Sequence, residues 1–202
     1  MIVILKESSK KEAIIDVDDI LWGLNEKVAY VLGYDINKIT NFSIRKCDLI
    51  DEKTQSKIIS LYSNPEIFKN MKFYEGVEDL ILRLEDTGVH GIICSNCMSK
   101  SVAILKTEQL LKKITGLQEE QIQMNIISEK THDKKKMKKR IWTLMDDSPY
   151  NIALSDAELK IMLPHPWNQS PAGKETCKNA NPIIIPTFKE ALDYICIQAK
   201  VA

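Results

Sequence analysis

The sequence lacks several features that would assign it at once to a class of protein. Its 28 lysines and arginines are balanced by 28 aspartates and glutamates, so the formal net charge is zero. This balance argues against a protein whose main task is to coat nucleic acid or an anionic membrane. No apolar run approaches the roughly 20 residues that cross a bilayer. The apolar stretch at the N-terminus is too short for a secretory signal, so we expect a cytoplasmic protein.

Cysteine is too sparse and too irregular for a disulfide framework. The five cysteines show no even or regular spacing. Cys94 and Cys97 form a C-x-x-C motif, but no second C-x-x-C and no H-x-x-x-H is present to complete a zinc site. We interpret this pair as two reduced cysteines at the end of a buried strand, with metal or redox use as the alternative.

Short apolar runs alternate with segments of helical periodicity. Several runs are apolar on both faces, which is typical of parallel strands covered by helices on both sides. This alternation predicts an α/β fold, a Rossmann-like doubly wound and mainly parallel sheet. The predicted strands are residues 13–15, 89–94, 122–127, 141–145, 159–163 and 183–185, with 2–5 as an extra edge strand. The predicted helices between them are 76–86, 100–114, 133–140 and 188–198.

One segment interrupts this alternation. From residue 21 to residue 72 the pattern is helical, with predicted helices at 21–32, 36–39, 52–61 and 66–70. Turn residues at Gly33, at Asn64 and Pro65, and at Gly76 separate or end these pieces. This helical segment is longer than a single connection between two neighbouring parallel strands requires. We therefore predict a helical cap at 21–72, inserted into a Rossmann-like core made of 1–20 and 73–202.

Acidic or hydroxyl side chains follow three of the predicted strands. They are Asp16, Asp18 and Asp19 after the first strand, Ser95 after the second, and Asp146, Asp147 and Ser148 after the fourth. In open α/β sheets, ligands bind at the carboxyl ends of the strands. Carboxylates gathered there repel one another, and a hard cation such as Mg²⁺ or Ca²⁺ relieves the repulsion. For Asp19 or Ser148 alone, capping of the next helix is the simpler interpretation.

Four motifs, IIDVDDIL, IICSN, THDK and TLMDDSP, resemble in this order those of haloacid-dehalogenase (HAD) superfamily phosphohydrolases. The resemblance covers nearly the whole chain. Within that superfamily, FYEGVEDLILRL, THDK and LPHPWN are most similar to 5'(3')-deoxyribonucleotidases, which also carry a helical cap between the first two motifs. The resemblance implies a Mg²⁺-dependent phosphatase that acts on (deoxy)nucleoside monophosphates through an aspartyl-phosphate intermediate.

The resemblance also implies a role for each acidic residue. Asp16 would be the nucleophile, and Asp18 would act first as general acid and then as general base. The side chains of Asp16 and Asp147 and the backbone carbonyl of Asp18 would hold Mg²⁺, with Asp146 in support. A carboxylate nucleophile divides a very slow hydrolysis into two easier transfers, which agrees with these roles.

The same resemblance places the phosphate-binding groups on the later motifs. Ser95 and Asn96 would bind the phosphoryl oxygens, and Lys134 would neutralise the nucleophile and the phosphate. Lys135 and Lys136 lie in the same basic run, HDKKKMKKR, and remain alternatives. The run also invites a nucleic-acid interpretation, but a solvated helix face fits a neutral chain better.

The predicted cap contains aromatic residues that could select the substrate. Trp22 and Phe42 are the candidates to contact a base, although aromatic residues in a small helical module more often fill its own core. The expected partner is a small phosphate ester, a nucleotide in the leading interpretation, rather than a membrane or a nucleic acid, and a homodimer stays open.

Three other functions stay open on the sequence alone. The first is a phosphatase for another phosphorylated metabolite or for a nucleotide-derived signal. The second is a nucleotide-binding protein without turnover on the same fold. The third is a receiver domain, which also gathers acidic residues, a hydroxyl and a lysine at strand ends, but in a different order along a shorter chain.

Overall fold

The computed structural model describes residues 11–41, 50–127 and 141–201. Six strands form one sheet in this part of the chain, and every neighbouring pair is parallel. The strands are β1 (Lys11–Asp16), β2 (Val89–Cys97), β3 (Ile122–Ile126), β4 (Thr143–Met145), β5 (Leu159–Met162) and β6 (Ile183–Ile184). Their order across the sheet is β3-β2-β1-β4-β5-β6.

Helices connect the strands and cover the sheet. In chain order the α-helices of the described residues are α1 (Leu24–Leu32), α2 (Glu52–Ser63), α3 (Pro65–Phe68), α4 (Leu80–Glu85), α5 (Lys100–Lys113), α6 (Pro149–Leu154), α7 (Pro166–Gln169), α8 (Pro171–Cys177) and α9 (Phe188–Val201). No helix in these ranges is long and apolar enough to span a bilayer.

The predicted α/β class and all six internal strands are confirmed. The apolar runs could be recognised because alternate residues of β1 pack into two different clusters, Ala13 and Ile15 in one and Ile14 in the other. Such a strand is buried on both faces, so its sequence is continuously apolar. The predicted strand at 2–5 and the predicted helix at 133–140 lie outside the described residues.

Of the four α-helices described between β1 and β2, the first three, α1 to α3, lie within the segment that the sequence marks as helical. Buried residues of these helices, Leu24, Ile58 and Phe68 among them, belong to the same apolar cluster as Ile15 and Ile93 of the sheet. Helix α5 contacts the segment directly, because Gln109 donates to the carbonyl of Phe68 at 2.8 Å. The division into a cap at 21–72 and a core stays a prediction.

The strand order determines where a ligand can bind. The chain runs outward from β1 through β2 to β3, and then outward on the other side from β4 through β5 to β6. The crevice of such a sheet opens where these directions diverge, at the carboxyl ends of β1 and β4. This order also differs from the 2-1-3-4-5 order of receiver-like folds, so the receiver interpretation is wrong.

Candidate active site

A tight turn follows β1 and brings its acidic residues back over the end of the sheet. Leu21 donates its backbone N–H to the carbonyl of Val17 at 2.9 Å, and Trp22 then forms isolated bridges with Asp18 and Phe73. Within the turn Asp19 has φ of 61°, a left-handed conformation that aspartate tolerates better than most residues. The side chain of Asp19 accepts from the backbone N–H of Asn25 at 3.0 Å, so it caps the first turn of α1.

The carboxylate of Asp16 lies close to those of Asp146 and Asp147 at the carboxyl ends of β1 and β4. Ile15 of β1 is in register with Met145 of β4, so the residues that follow them emerge side by side. One carboxylate oxygen from each of Asp16, Asp146 and Asp147 lies within 4.8 Å of the others. The sequence prediction that Asp146 only supports this group understates its position, because its carboxylate is a full member of the cluster.

The electrostatics of this cluster favour a bound cation. Loss of hydration raises the pKa of Asp16 well above its ordinary value, and the charges of Asp146 and Asp18 raise it further. Burial likewise raises the pKa of Asp147, with added repulsion from Asp19 and Asp146. An all-oxygen set of this kind suits Mg²⁺ or Ca²⁺ rather than a softer metal. The role predicted for the backbone carbonyl of Asp18 stays a prediction.

Neighbouring donors hold the two aspartates after β4 in place. Asp146 accepts from the backbone N–H of Ser148 at 2.8 Å and from the side-chain amide of Asn151 at 2.7 Å. Asp147 accepts from the indole N–H of Trp167 at 2.9 Å, and its backbone carbonyl accepts from the amide of Asn168 at 3.2 Å. Such partners orient metal ligands. The sequence analysis assigned no such function to Trp167 and Asn168.

His165 supports the same region through one hydrogen bond and one stacked ring. Its Nε2–H donates to the carbonyl of Asp19 at 2.8 Å, and its ring stacks on Trp167 with 4.5 Å between centroids. Burial lowers the pKa of His165, so the neutral imidazole is favoured. The histidine therefore joins the turn after β1 to α7.

Asp18 lies outside the group of three clustered carboxylates and has partners of its own. Its Oδ1 accepts from the indole N–H of Trp22 at 2.9 Å, and its Oδ2 accepts from the ammonium of Lys106 at 2.5 Å. Lys106 also donates to Ser95 Oγ at 2.9 Å, and Ser95 Oγ is 3.4 Å from Asp18 Oδ2. The predicted acid/base and the predicted phosphate-binding serine are thus brought together.

Lys106 is the site residue that the sequence analysis missed. Its side chain is only 1% exposed, and its ammonium lies 4.8 Å from the ring centroid of Phe68. A signal for it exists in the sequence. Lys106 falls on the buried face of α5 with Val102, Ala103 and Leu110, where helical periodicity calls for an apolar residue.

A cavity of about 250 Å³ opens above these groups. Its charged lining residues, within the described part of the chain, are Asp16, Asp18, Asp19, Asp147 and Lys106. The rest of the lining is apolar or neutral: Leu24, Asn25, Ile59, Tyr62, Phe68, Asn96, Cys97, Met98, Val102, Ile127 and Asn151. Asn96 borders the cavity, and its phosphate-binding role stays a prediction.

The predicted substrate contact of Trp22 needs correction. Trp22 is fully buried, packs edge-on against Phe73 and donates to Asp18, whereas the aromatic residues that line the cavity are Tyr62 and Phe68. Phe42 and the lysines at 134–136 lie outside the described residues. Cys94 and Cys97 both lie in β2, and neither forms a disulfide with another cysteine of the described residues.

Comparison with known proteins supports the fold. No family model matches the sequence, and no curated protein matches it. A putative beta-phosphoglucomutase from Bacteroides vulgatus shares the fold with a TM-score of 0.52 and 10% identity, over 95% of this chain and 90% of that chain. Phosphoserine phosphatase in apo form gives a TM-score of 0.49 and 19% identity, over 92% and 98% of the two chains.

A third solved structure, DsGPDH of Dunaliella salina, gives a TM-score of 0.48 and 16% identity. The match covers 92% of this chain but only 36% of that protein. The match with the putative beta-phosphoglucomutase supports the Rossmann-like α/β fold. None of the three structures supports the deoxyribonucleotidase subfamily. Because the identities are low, the activity has to be argued from the site itself.

Proposed function

We propose that this protein is a magnesium-dependent phosphohydrolase that transfers the phosphoryl group of a small phosphate ester to Asp16 and then to water. One observation carries the proposal. Carboxylate oxygens of Asp16, Asp146 and Asp147 converge within 4.8 Å at the divergence of a parallel sheet. Asp18 lies beside them at the floor of the same cavity.

The donor set fits a magnesium ion. Asp146 and Asp147 are buried, and hydrogen bonds from Asn151 and Trp167 already hold them. Together with Asp16 they would bind Mg²⁺, which would offset the negative charge of the carboxylates and of the phosphate. Burial and the charges of neighbouring aspartates raise the pKa of Asp16 and of Asp147. A bound cation would offset both effects.

The reaction has two balanced steps. In the first, a carboxylate oxygen of Asp16 attacks phosphorus, the bond to the leaving oxygen breaks, and Asp18 gives that oxygen a proton. In the second, Asp18 takes a proton from water, the water oxygen attacks phosphorus, and the bond to Asp16 breaks to release inorganic phosphate. Trp22 orients Asp18 for both transfers through its hydrogen bond of 2.9 Å. Ser95 and Asn96 would bind the phosphoryl oxygens, and the part predicted for Lys134 remains a proposal.

The cavity walls favour an uncharged leaving group. Within the described chain, the charged lining residues are the carboxylates of Asp16, Asp18, Asp19 and Asp147 together with Lys106, which pairs with Asp18. The other lining residues are apolar or neutral and include the polar groups of Asn25 and Tyr62. A leaving group with its own charge would lose hydration there without gaining an ionic partner. A nucleoside is uncharged, has an apolar face for Phe68 and carries hydrogen-bonding edges. These features support (deoxy)nucleoside monophosphates as substrates, with another phosphorylated metabolite as the alternative.

The nucleophile is tested with Asp16→Asn. Removing the attacking carboxylate should lower phosphate release by several orders of magnitude while the melting temperature stays within a few degrees, since the amide is nearly isosteric. Asp156→Asn, an exposed aspartate far from the cavity lining, is the matched control and should retain full activity. Turnover in Asp16→Asn equal to that of the wild type would refute the proposed nucleophile.

The metal and the substrate class are tested separately with the wild type. Activity should disappear in chelator and return with Mg²⁺, and full activity in chelator is incompatible with the proposed site. A panel of deoxynucleotides, ribonucleotides, phosphoserine and a sugar phosphate then addresses the leaving group. Equal or faster hydrolysis of phosphoserine would reject the nucleotide substrate and leave the phosphohydrolase intact.

A further inference from the structure

The packing of α5 does not by itself require the charge of Lys106. Its side chain lies on the buried face of the helix with Val102, Ala103 and Leu110, where apolar residues are usual. Burying an ammonium costs hydration, so a positive charge at such a position needs anionic partners. Asp18 is one such partner, and the cavity that Lys106 lines can hold an anionic ligand as another.

The position of the ammonium indicates which ligand that is. Its two hydrogen-bond acceptors are Asp18, the proposed acid and base, and Ser95, a proposed phosphate-binding residue, at 2.5 and 2.9 Å. Four carboxylates line the same floor, from Asp16, Asp18, Asp19 and Asp147, and Lys106 is the one cationic residue that lines the cavity within the described chain. A phosphate group brings about two further negative charges at neutral pH.

We infer that Lys106 binds a phosphoryl oxygen of the substrate together with Ser95, and so acts as a catalytic residue. This inference rests on the proposed function. The sequence assigned the phosphate-neutralising charge to Lys134, whereas the structure brings a lysine from α5, a different element, to the proposed phosphoryl site. In the absence of substrate, Asp18 serves as the counterion of Lys106.

Phe68 makes this contact depend on the helices between β1 and β2. Its ring covers the ammonium at 4.8 Å, and its backbone carbonyl is bound by Gln109, three residues further along α5. With Phe68 in place Lys106 is nearly inaccessible to water, so its attraction to an anion is less screened than at a surface.

The experiment measures the binding of an oxyanion rather than turnover. Orthovanadate is titrated calorimetrically in the presence of Mg²⁺ into the wild type and into Lys106→Met, Lys106→Gln, Lys106→Arg and Lys112→Met. Lys112 is exposed near the end of the same helix and provides the matched control. Loss of a charged hydrogen bond should weaken binding about 10- to 150-fold in Lys106→Met and Lys106→Gln.

Lys106→Arg should retain part of the affinity because it keeps the charge, and Lys112→Met should bind like the wild type. The melting temperature of Lys106→Met should fall below that of the wild type, because the substitution leaves Asp18 and the neighbouring carboxylates without their cationic partner. The affinity is therefore compared only among variants that are folded at the temperature of the titration. Wild-type vanadate affinity in either folded charge-removing variant would overturn the inference and leave Lys106 as a structural partner of Asp18. If the wild type binds vanadate through Lys106 but hydrolyses no ester, the proposed function fails while this binding site stands.

Discussion

Two tryptophans allow the different roles proposed for Asp18 and Asp147 to be tested with a single type of substitution. The indole of Trp22 donates to Asp18, and the indole of Trp167 donates to Asp147, each at 2.9 Å. Replacing either by phenylalanine removes the donor and keeps an aromatic ring in the core. Trp22→Phe should lower kcat with the Mg²⁺ requirement unchanged, whereas Trp167→Phe should raise the Mg²⁺ concentration needed for half-maximal activity.

The size of each effect follows from exposure. A hydrogen bond to a charged acceptor contributes about 1.5–3 kcal/mol, which corresponds to about 10- to 150-fold. The side chain of Asp18 is 22% exposed, so water can replace the lost donor in part, and we expect about 10-fold for Trp22→Phe. Asp147 is only 2% exposed, so Trp167→Phe should approach the upper end, about 100-fold in Mg²⁺ affinity.

Steady-state kinetics at saturating ester over a Mg²⁺ titration give both parameters, and thermal melts without metal give the cost to the fold. Each substitution removes comparable buried volume, so both variants should lose a similar few degrees in melting temperature. If Trp22→Phe shifts the Mg²⁺ dependence, or Trp167→Phe lowers kcat at saturating Mg²⁺ alone, the assigned roles of Asp18 and Asp147 are wrong.

Two further predictions concern stability. Burial raises the pKa of Asp147, so the native state holds a proton that the unfolded state loses above about pH 4, and the carboxylate destabilises the metal-free protein increasingly as pH rises. In chelator, Asp147→Asn should therefore have a higher melting temperature than the wild type. The difference should be larger at about pH 7.5 than at about pH 5. A difference that becomes smaller as the pH rises would contradict this prediction. A Cβ added to Gly173 would lie 2.4 Å from the carbonyl of Trp167 and 2.8 Å from Cα of Asn168, so Gly173→Ala should cost about 1–3 kcal/mol and also weaken Mg²⁺ binding. Gly173 lies inside α8 without a positive φ, so alanine would otherwise be favoured there. Melting of Gly173→Ala at or above the temperature of the wild type would refute the close approach.

The sheet could be predicted from sequence because its strands are buried on both faces. Residues such as Ile14 and Ile15 must both be apolar when each faces a separate cluster, and this leaves short apolar runs that are easy to find. Helices α6, α7 and α8 have four to seven residues each and are too short to show a period. Their starts do carry a signal, since each has a proline in its first turn.

The acidic side of the site could also be anticipated, because the carboxyl ends of neighbouring parallel strands meet at one edge of the sheet. Trp22 shows the limit of this reasoning. It follows a turn whose geometry comes from backbone contacts between Val17 and Leu21, and no periodicity in the sequence says which way a residue after such a turn will face. An aromatic residue near a proposed site is thus equally compatible with stacking on a ligand and with holding a carboxylate.

Lys106 illustrates a different limit, because its local sequence is informative only after the fold is known. A lysine on the buried face of an amphipathic helix breaks the expected pattern, and the hydration it loses must be offset by an anion. The sequence cannot name that anion, since Asp18 lies 88 residues away and is joined to α5 only by the parallel pairing of β1 with β2. Once that pairing is known, the pattern becomes specific: a basic residue in the apolar stripe of the helix after β2 must face the end of β1. The buried charge and the acidic strand end then explain each other, and both agree with the phosphate ester proposed as the ligand.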